Sequence, residues 1–135
     1  MIDIDTFEKI LDDVAGELPK EFYRELNGGI LLLPQAKISP YAVADDLYIM
    51  GEYVVSSSMG RMIRIYYGSF EKNCSHLSED ALKERIREVL YHEFTHHMES
   101  LAGERGLEIK DEIQLRNYLR HHRRSHRYRN KRSEL

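Results

Sequence analysis

The sequence predicts an α+β domain in which a small, mainly antiparallel sheet packs beside one long helix. Three observations predict this class: an amphipathic helical period near the start of the chain, two β-rich runs joined by a turn, and a long helical period after residue 78. The chain has 135 residues, which is enough for one hydrophobic core but not for two. We therefore expect a single folded domain.

The first elements follow from local patterns. Asp5 to Glu17 is predicted to be an amphipathic helix, because its apolar residues recur at helical spacing: Phe7, Ile10, Leu11 and Val14. Pro19 at a helix N1 position predicts a shorter helix that ends at Asn27-Gly28-Gly29. The apolar run Ile30 to Leu33, closed by Pro34, predicts a buried strand.

The middle of the chain predicts a β-hairpin. Leu47 to Val55 is rich in Tyr, Ile and Val, Arg61 to Tyr67 is rich in Met, Ile and Tyr, and the turn residues Ser56 to Gly60 lie between the two runs. These two runs supply the main strands of the predicted sheet.

The longest predicted element is a helix that begins after Ser78. Ser78 is a suitable N-cap, and Glu79 and Asp80 place negative charge in the first turn, where the helix dipole favours it. A helical apolar period continues to Gly103 through Leu82, Ile86, Val89, Leu90, Phe94, Met98 and Leu101. A last helix is predicted to start near Asp111.

The long helix carries the H-E-x-x-H pattern, as His92-Glu93-Phe94-Thr95-His96. Histidines at positions i and i+4 share one helix face, so both imidazoles can reach one zinc ion, and the intervening Glu93 can act as general base on a water. Glu99 falls within the same arc of about 60°. His97 lies near the centre of the apolar arc, where a hydrogen-bonded core histidine is the preferred interpretation over a metal ligand.

On these residues the sequence resembles the small bacterial zincin-like metallopeptidases, or minimal zincins. The resemblance covers most of residues 1–112 and includes Glu17-Leu18-Pro19 and the segment Tyr91 to His97. It implies a zincin-like fold and a zinc-dependent peptidase, with His92 and His96 as ligands of one zinc ion and Glu93 as the catalytic base. A metal-bound water would then attack a peptide carbonyl.

The third zinc ligand is not given directly by the resemblance. The family pattern H-E-x-x-H-x-x-G-x-x-D has its last ligand at a position that holds Ala102 here, and Glu99 replaces the glycine. Because the helix break moves to Gly103, about 6 Å further along, a count along the returning chain indicates Glu108. Glu99 and Asp111 are the alternatives.

Two expectations concern the substrate. An extended peptide could add as a strand to an exposed sheet edge, for which Arg61 to Tyr67 is the candidate, unless that edge is covered within the sheet. Tyr66 or Tyr67 could assist an oxyanion, although strand or core packing is the simpler role.

The charge distribution separates a body from a tail. Residues 1–119 carry 13 Lys and Arg against 22 Asp and Glu, a net charge of −9, whereas residues 120–135 carry 7 against 1, a net charge of +6. We therefore divide the chain into a zincin-like domain, 1–119, and a basic C-terminal tail, 120–135. The tail could be solvated, fold against the acidic body, or bind a polyanion through Arg123, Arg124, Arg127 and Arg129.

Two rival functions follow from the tail and the histidines. One is a non-catalytic, metal-stabilised module that binds nucleic acid or a partner through its tail, and the other is a metal-dependent nuclease. The lone Cys74 excludes an intramolecular disulfide, and the sequence has neither an export signal nor an apolar run long enough to span a membrane. A cytoplasmic location without membrane contact is the expectation.

Overall fold

The computed structural model describes residues 1–42, 44 and 47–105. Within them the elements follow in the order α1, a 3-10 helix, β1 to β5, α2 and α3. Their bounds are Ile4–Gly16 (α1), Lys20–Tyr23 (3-10), Gly29–Leu33 (β1), Lys37–Ile38 (β2), Tyr48–Ile49 (β3), Gly51–Ser56 (β4), Gly60–Tyr66 (β5), Tyr67–Cys74 (α2) and Glu79–Arg105 (α3). The predicted α+β class is confirmed.

The main sheet has three strands in the order β1-β5-β4. Strand β5 is central and pairs in parallel with β1 and antiparallel with β4, with Gly51 opposite Ile65. Strands β2 and β3 form a separate antiparallel pair. Most of the strand pairing in the described residues is thus antiparallel, as predicted.

The core lies between one face of this sheet and the helices. Strand β4 and the central strand contact α3, and α1 packs against α3. The largest fully buried side chains of the core include aromatic residues from four helical segments and two residues of β5: Phe7, Phe22, Phe70, Tyr91, Phe94, Ile63 and Ile65. Arg87 of α3 is also buried and donates to both carboxylate oxygens of Glu17, at 2.7 and 2.8 Å, which joins the end of α1 to α3.

Helix α1 begins almost where the sequence predicts, since Asp3 caps it by accepting from the Thr6 amide at 2.8 Å. The helix predicted after Pro19 is shorter than expected. It is a 3-10 helix that ends at Tyr23, because Arg24 is extended and Glu25 has a positive φ of 60°, which turns the chain. The break predicted at Gly103 is wrong, because α3 continues through this glycine to Arg105. The count that indicates Glu108 as third ligand therefore starts from a residue that is still helical.

Three strand predictions need correction. Strand β1 is half-buried rather than buried, because it lies at an edge of the sheet. The run predicted as one strand, Leu47 to Val55, divides at buried Met50 into β3 and β4. Strand β5 ends at Tyr66, and helix α2 follows directly. The sequence does not predict α2, because its glycine and polar residues interrupt the apolar helical period.

The remaining predictions lie partly outside the described residues. The last helix near Asp111 and the division at residues 119 and 120 both fall there. Among the helices that the structure describes, none is both long enough and apolar enough to cross a membrane.

Candidate active site

Helix α3 positions the histidine pair. Its first turn is capped by Ser78, whose Oγ accepts from the Ala81 amide at 3.2 Å. The apolar stripe is fully buried at Ile86, Leu90 and Phe94, so the orientation of the helix about its axis is fixed by the core. That orientation leaves His92 and His96 exposed along one edge of the stripe.

The two exposed imidazoles converge. His92 Nε2 and His96 Nε2 are 3.1 Å apart, and the ring centroids are separated by 4.6 Å with an interplanar angle of 85°. Two nitrogens bound to one tetrahedral zinc ion, each at about 2.0–2.1 Å, lie about 3.3 Å apart. The observed separation of 3.1 Å is close to the separation that a shared zinc ion requires.

Glu93 lies on the inner side of this pair. Its side chain is buried, with 6% of the residue exposed, yet it lines two cavities together with His92. A carboxylate at such a position carries a desolvation cost unless a cation or hydrogen bonds compensate it. On a helical wheel Glu93 falls within the apolar stripe of α3, and its observed burial agrees with that position.

The two cavities meet at His92 and Glu93 and form one groove between β4 and α3. The first has a volume of about 400 Å³ and is lined further by Met50, Arg85, Glu88 and Val89. The second has a volume of about 700 Å³ and is lined further by Glu52, Tyr53, Val55, His96, Glu99 and Ser100. Ile49 and Gly51 line both. We call this surface the groove.

Gly51 allows β4 to approach α3 at the centre of the groove. A Cβ atom placed on Gly51 would lie 2.9 Å from Val89 Cγ1 and 3.1 Å from Ile65 Cδ1. Both distances are shorter than an unstrained carbon contact of about 3.5–4.0 Å. The absence of a side chain at residue 51 therefore determines how closely the strand lies beside His92 and Glu93.

Among the described strands, β4 is the edge strand of the main sheet near the groove. The Tyr66 amide donates to the Met50 carbonyl at 2.9 Å. Because hydrogen-bonded and non-hydrogen-bonded pairs alternate in an antiparallel ladder, the backbone N–H and C=O groups of Gly51, Tyr53 and Val55 point away from β5. In the described part of the chain β4 pairs with β5 alone, so it is an edge strand there, and Gly51, Tyr53 and Val55 line the groove.

This topology overturns one expectation about substrate binding. The candidate edge, Arg61 to Tyr67, is mainly the central strand β5, and both of its edges are paired, with β1 and with β4. The alternative of a covered edge is correct. Local sequence patterns identify a strand but not its neighbours in the sheet, so this error could not be avoided from the sequence.

His97 is the hydrogen-bonded core histidine that its position predicts. It is 0% exposed, its Nδ1 lies 2.8 Å from Tyr53 Oη, and its Nε2 lies 2.7 Å from the Arg24 carbonyl oxygen. Burial lowers the pKa of the His97 imidazole below its usual value, although the Arg24 carbonyl opposes the shift. His97 is therefore neutral near pH 7 and turned away from the exposed pair.

The tyrosine hydroxyls proposed for the oxyanion have other partners. Tyr66 donates its hydroxyl proton to Glu52, which also accepts from Lys37 Nζ at 2.8 Å. Tyr67 donates to the Ile2 carbonyl at 2.5 Å. Neither residue lines the groove, so the simpler role in strand and core packing is the one observed.

The third ligand is not fixed by the described residues, in which no cluster of three or more His, Cys, Asp or Glu side chains could hold a metal ion. Glu99 Oε2 lies 3.8 Å from His96 Nδ1, the ring nitrogen that is not directed at His92. Glu108 and Asp111 lie outside the described residues, as do the four tail arginines, Arg123, Arg124, Arg127 and Arg129.

Sequence reasoning missed two residues that shape the groove. Gly51 stands inside a β-rich run, and a glycine inside a strand is a known signal of close backbone approach. Tyr53 gave no such signal, because its contact with His97 joins residues 44 positions apart.

Comparisons with known proteins agree with this geometry. Residues 48–113, which include β4, β5, α2 and α3, match the family described as zincin-like metallopeptidase. A solved structure of a conserved hypothetical protein from Thermus thermophilus is 30% identical and superposes with a TM-score of 0.64. The match covers 75% of this chain and 98% of that one. No curated protein matches the sequence significantly.

Proposed function

The chain belongs to the zincin-like metallopeptidase family, and from this premise we propose that it is a zinc-dependent peptidase that hydrolyses extended peptides bound in the groove. The observation that carries the proposal is the pair of exposed imidazole nitrogens 3.1 Å apart, with Glu93 beside them in a groove lined by β4, an edge strand among the described residues. Metal ligands, a base and a peptide-binding edge are the parts that this reaction requires.

His92 and His96 would hold one zinc ion through their Nε2 atoms. When bound, zinc supplies Lewis acidity, which makes water more acidic and stabilises negative charge on a carbonyl oxygen. For the third ligand we propose Glu108, with Glu99 and Asp111 as the alternatives. The position of Glu99 Oε2, 3.8 Å from His96 Nδ1, supports a different role for Glu99, an electrostatic contact with the His96 ring rather than a hydrogen bond.

Glu93 would act as general base. It accepts a proton from the water that attacks the peptide carbonyl, and it returns the proton to the amide nitrogen as the C–N bond breaks. Glu93 is largely buried, with 6% of the residue exposed, and it lines both cavities on the side of α3 that contacts β4.

The substrate would bind as an added strand on β4. The outward N–H and C=O groups of Gly51, Tyr53 and Val55 offer a ladder, and the groove continues on both sides of His92 and Glu93. A groove that is lined on both sides of the catalytic residues accommodates chain on either side of the cleaved bond. This favours cleavage within an extended segment rather than removal of a terminal residue.

Substitution of Glu93 tests the proposal. Glu93→Gln keeps the shape of the side chain but removes the base, so we expect unchanged zinc content and a loss of hydrolysis by about 10²- to 10⁴-fold. The measurement is turnover of a mixed peptide library by the zinc-loaded chain, with metal analysis of the same samples. Full turnover by this variant would contradict the role of Glu93.

Two controls separate loss of the base from loss of the site. His92→Ala should lose both zinc and activity, because one of the two converging nitrogens is gone. Glu79→Gln, in the first turn of the same helix, should retain both. If the zinc-loaded wild type cleaves RNA but no peptide, the nuclease alternative replaces the peptidase.

A further inference from the structure

A chain of two hydrogen bonds centres on His97, the buried residue that follows His96 of the exposed pair. It runs from Tyr53 Oη on β4 to His97 Nδ1 on α3, at 2.8 Å, and from His97 Nε2 to the Arg24 carbonyl oxygen, at 2.7 Å. His97 is fully buried. One imidazole thus joins the edge strand, the long helix and the turn that follows the 3-10 helix.

The direction of both hydrogen bonds follows from the groups involved. The Arg24 carbonyl oxygen can only accept, so His97 Nε2 carries the proton and donates it. In a neutral imidazole the other nitrogen is then an acceptor, so the Tyr53 hydroxyl donates to Nδ1. The hydroxyl proton of Tyr53 is therefore committed to His97 and is not available to an oxyanion in the groove.

The turn that contains Arg24, at one end of the hydrogen-bond chain, is strained. Glu25, immediately after Arg24, has a φ of 60°, a conformation that side-chain-bearing residues seldom adopt. The hydrogen bond from His97 fixes the carbonyl of the residue before it. The partner of His97 Nε2 is thus a backbone carbonyl group rather than a side chain, which holds the imidazole in a fixed position.

The other end of the hydrogen-bond chain, Tyr53, lies at the centre of the β4 edge on which the peptide is proposed to bind. Tyr53 is the middle of the three β4 residues whose backbone groups point outward, and it lines the groove. Its ring packs on the His97 ring, with centroids 5.4 Å apart. His97 follows His96 directly, so this contact is made at the helix turn that carries the second candidate ligand.

We propose that Tyr53 is a positioning residue, which acts through His97 to hold the outward edge of β4 in register with His92, Glu93 and His96. This inference rests on the proposed function. A peptide on β4 reaches the histidine pair only if the strand and the helix keep a fixed separation. At Tyr53 the hydrogen-bond chain sets the separation between β4 and α3. Two residues earlier in β4, the absence of a side chain at Gly51 allows the strand to lie this close to the helix.

The test uses Tyr53→Phe, which removes one oxygen atom and keeps the ring. Two zinc-binding probes are compared by calorimetry on the zinc-loaded full-length chain. Acetohydroxamate contacts the metal site alone, whereas a hydroxamate joined to a tripeptide also lies along β4. Loss of the hydroxyl should weaken binding of the peptidyl hydroxamate by about tenfold and leave acetohydroxamate binding unchanged, as expected for one lost hydrogen bond.

A matched control is Tyr67→Phe, which also removes a hydroxyl with a hydrogen-bond partner but lies away from the groove. It should leave both affinities unchanged.

A second readout needs no metal. The amides of Glu52 and Val54, which the ladder places against β5, should exchange with solvent several-fold faster in Tyr53→Phe than in the wild type or in Tyr67→Phe.

The outcomes are distinguishable. Equal weakening of both probes would show that the hydroxyl acts on the metal site, and no change in either would show that it does not position the edge; both results overturn the inference. If the zinc-loaded wild type binds neither probe, the proposed function fails and the inference fails with it. Weaker peptidyl binding with unchanged amide exchange would overturn the stated mechanism, in which Tyr53 restrains β4.

Discussion

At the residue scale, the site depends on which nitrogen of each imidazole faces the shared position. The Nε2 atoms of His92 and His96 converge at 3.1 Å, whereas His96 Nδ1 is directed toward Glu99, 3.8 Å away. A carboxylate near the second nitrogen of a ligating histidine commonly orients the ring and raises its basicity. For Glu99, which the sequence offers only as an alternative third ligand, this geometry supports a second role as a neighbour of the His96 ring.

Metal analysis of three variants tests the third ligand. We expect Glu108→Ala to lose zinc affinity by more than about tenfold, because a direct ligand is removed. Glu99→Ala should retain stoichiometric zinc with at most a modest loss, and Asp111→Ala should bind as the wild type does. Competition with a chromophoric chelator gives the affinities. Tight zinc binding by Glu108→Ala, with loss in either of the other two, would show that the count along the chain is wrong.

At the element scale, the groove depends on the separation of β4 and α3. Two contacts determine it: Gly51 against Val89, and Tyr53 against His97. Gly51 has no side chain, which allows β4 to pack closely on α3. The hydrogen bond between Tyr53 and His97 then holds the strand at that distance. The strand and the helix thus form a single positioning unit, although 22 residues separate the end of β4 from the start of α3.

A methyl group at Gly51 should disturb this unit. Gly51→Ala forces Val89 or the strand to move, and overpacking of this kind costs about 1–3 kcal/mol. We expect a lower midpoint of urea unfolding and weaker peptide cleavage, with zinc content unchanged. Gly16→Ala is the matched control, because nothing lies within 4 Å of a Cβ there, and its stability should not decrease. Wild-type stability in Gly51→Ala would show that the contact is not tight.

At the scale of the whole molecule, charge is distributed unevenly between the acidic residues 1–119 and the basic residues 120–135, at −9 and +6. We propose that the basic segment binds a polyanion and takes no part in catalysis. Seven positive charges within 16 residues are sufficient for a strongly salt-dependent interaction with phosphates.

Removal of residues 120–135 tests this proposal. Zinc content and peptide cleavage should be unchanged, and any affinity for RNA or heparin that falls with salt should disappear. Replacing Arg123, Arg124, Arg127 and Arg129 with Gln keeps the length of the segment and should weaken binding in the same direction. Loss of stoichiometric zinc in the truncated chain would instead identify the tail histidines, His121, His122 and His126, as ligands.

The sequence by itself determined what local periodicity controls. A helix repeats every 3.6 residues, so the spacing of His92, Glu93 and His96 already places two imidazoles on one exposed edge and the carboxylate toward the core. The same wheel identified His97 as a core residue. The hairpin of β4 and β5 also followed from the chain, because its turn residues lie between two β-rich runs.

Tertiary structure decided everything that depends on neighbours distant in sequence. The pairing of β1 with β5 made β5 central and placed β4 at an edge of the sheet that the structure describes, which reversed the expectation for Arg61 to Tyr67. The contacts of Gly51 with Val89 and of Tyr53 with His97 join residues 38 and 44 positions apart. No propensity or spacing encodes such contacts, because they arise only when the core fixes the orientation of α3 against the sheet.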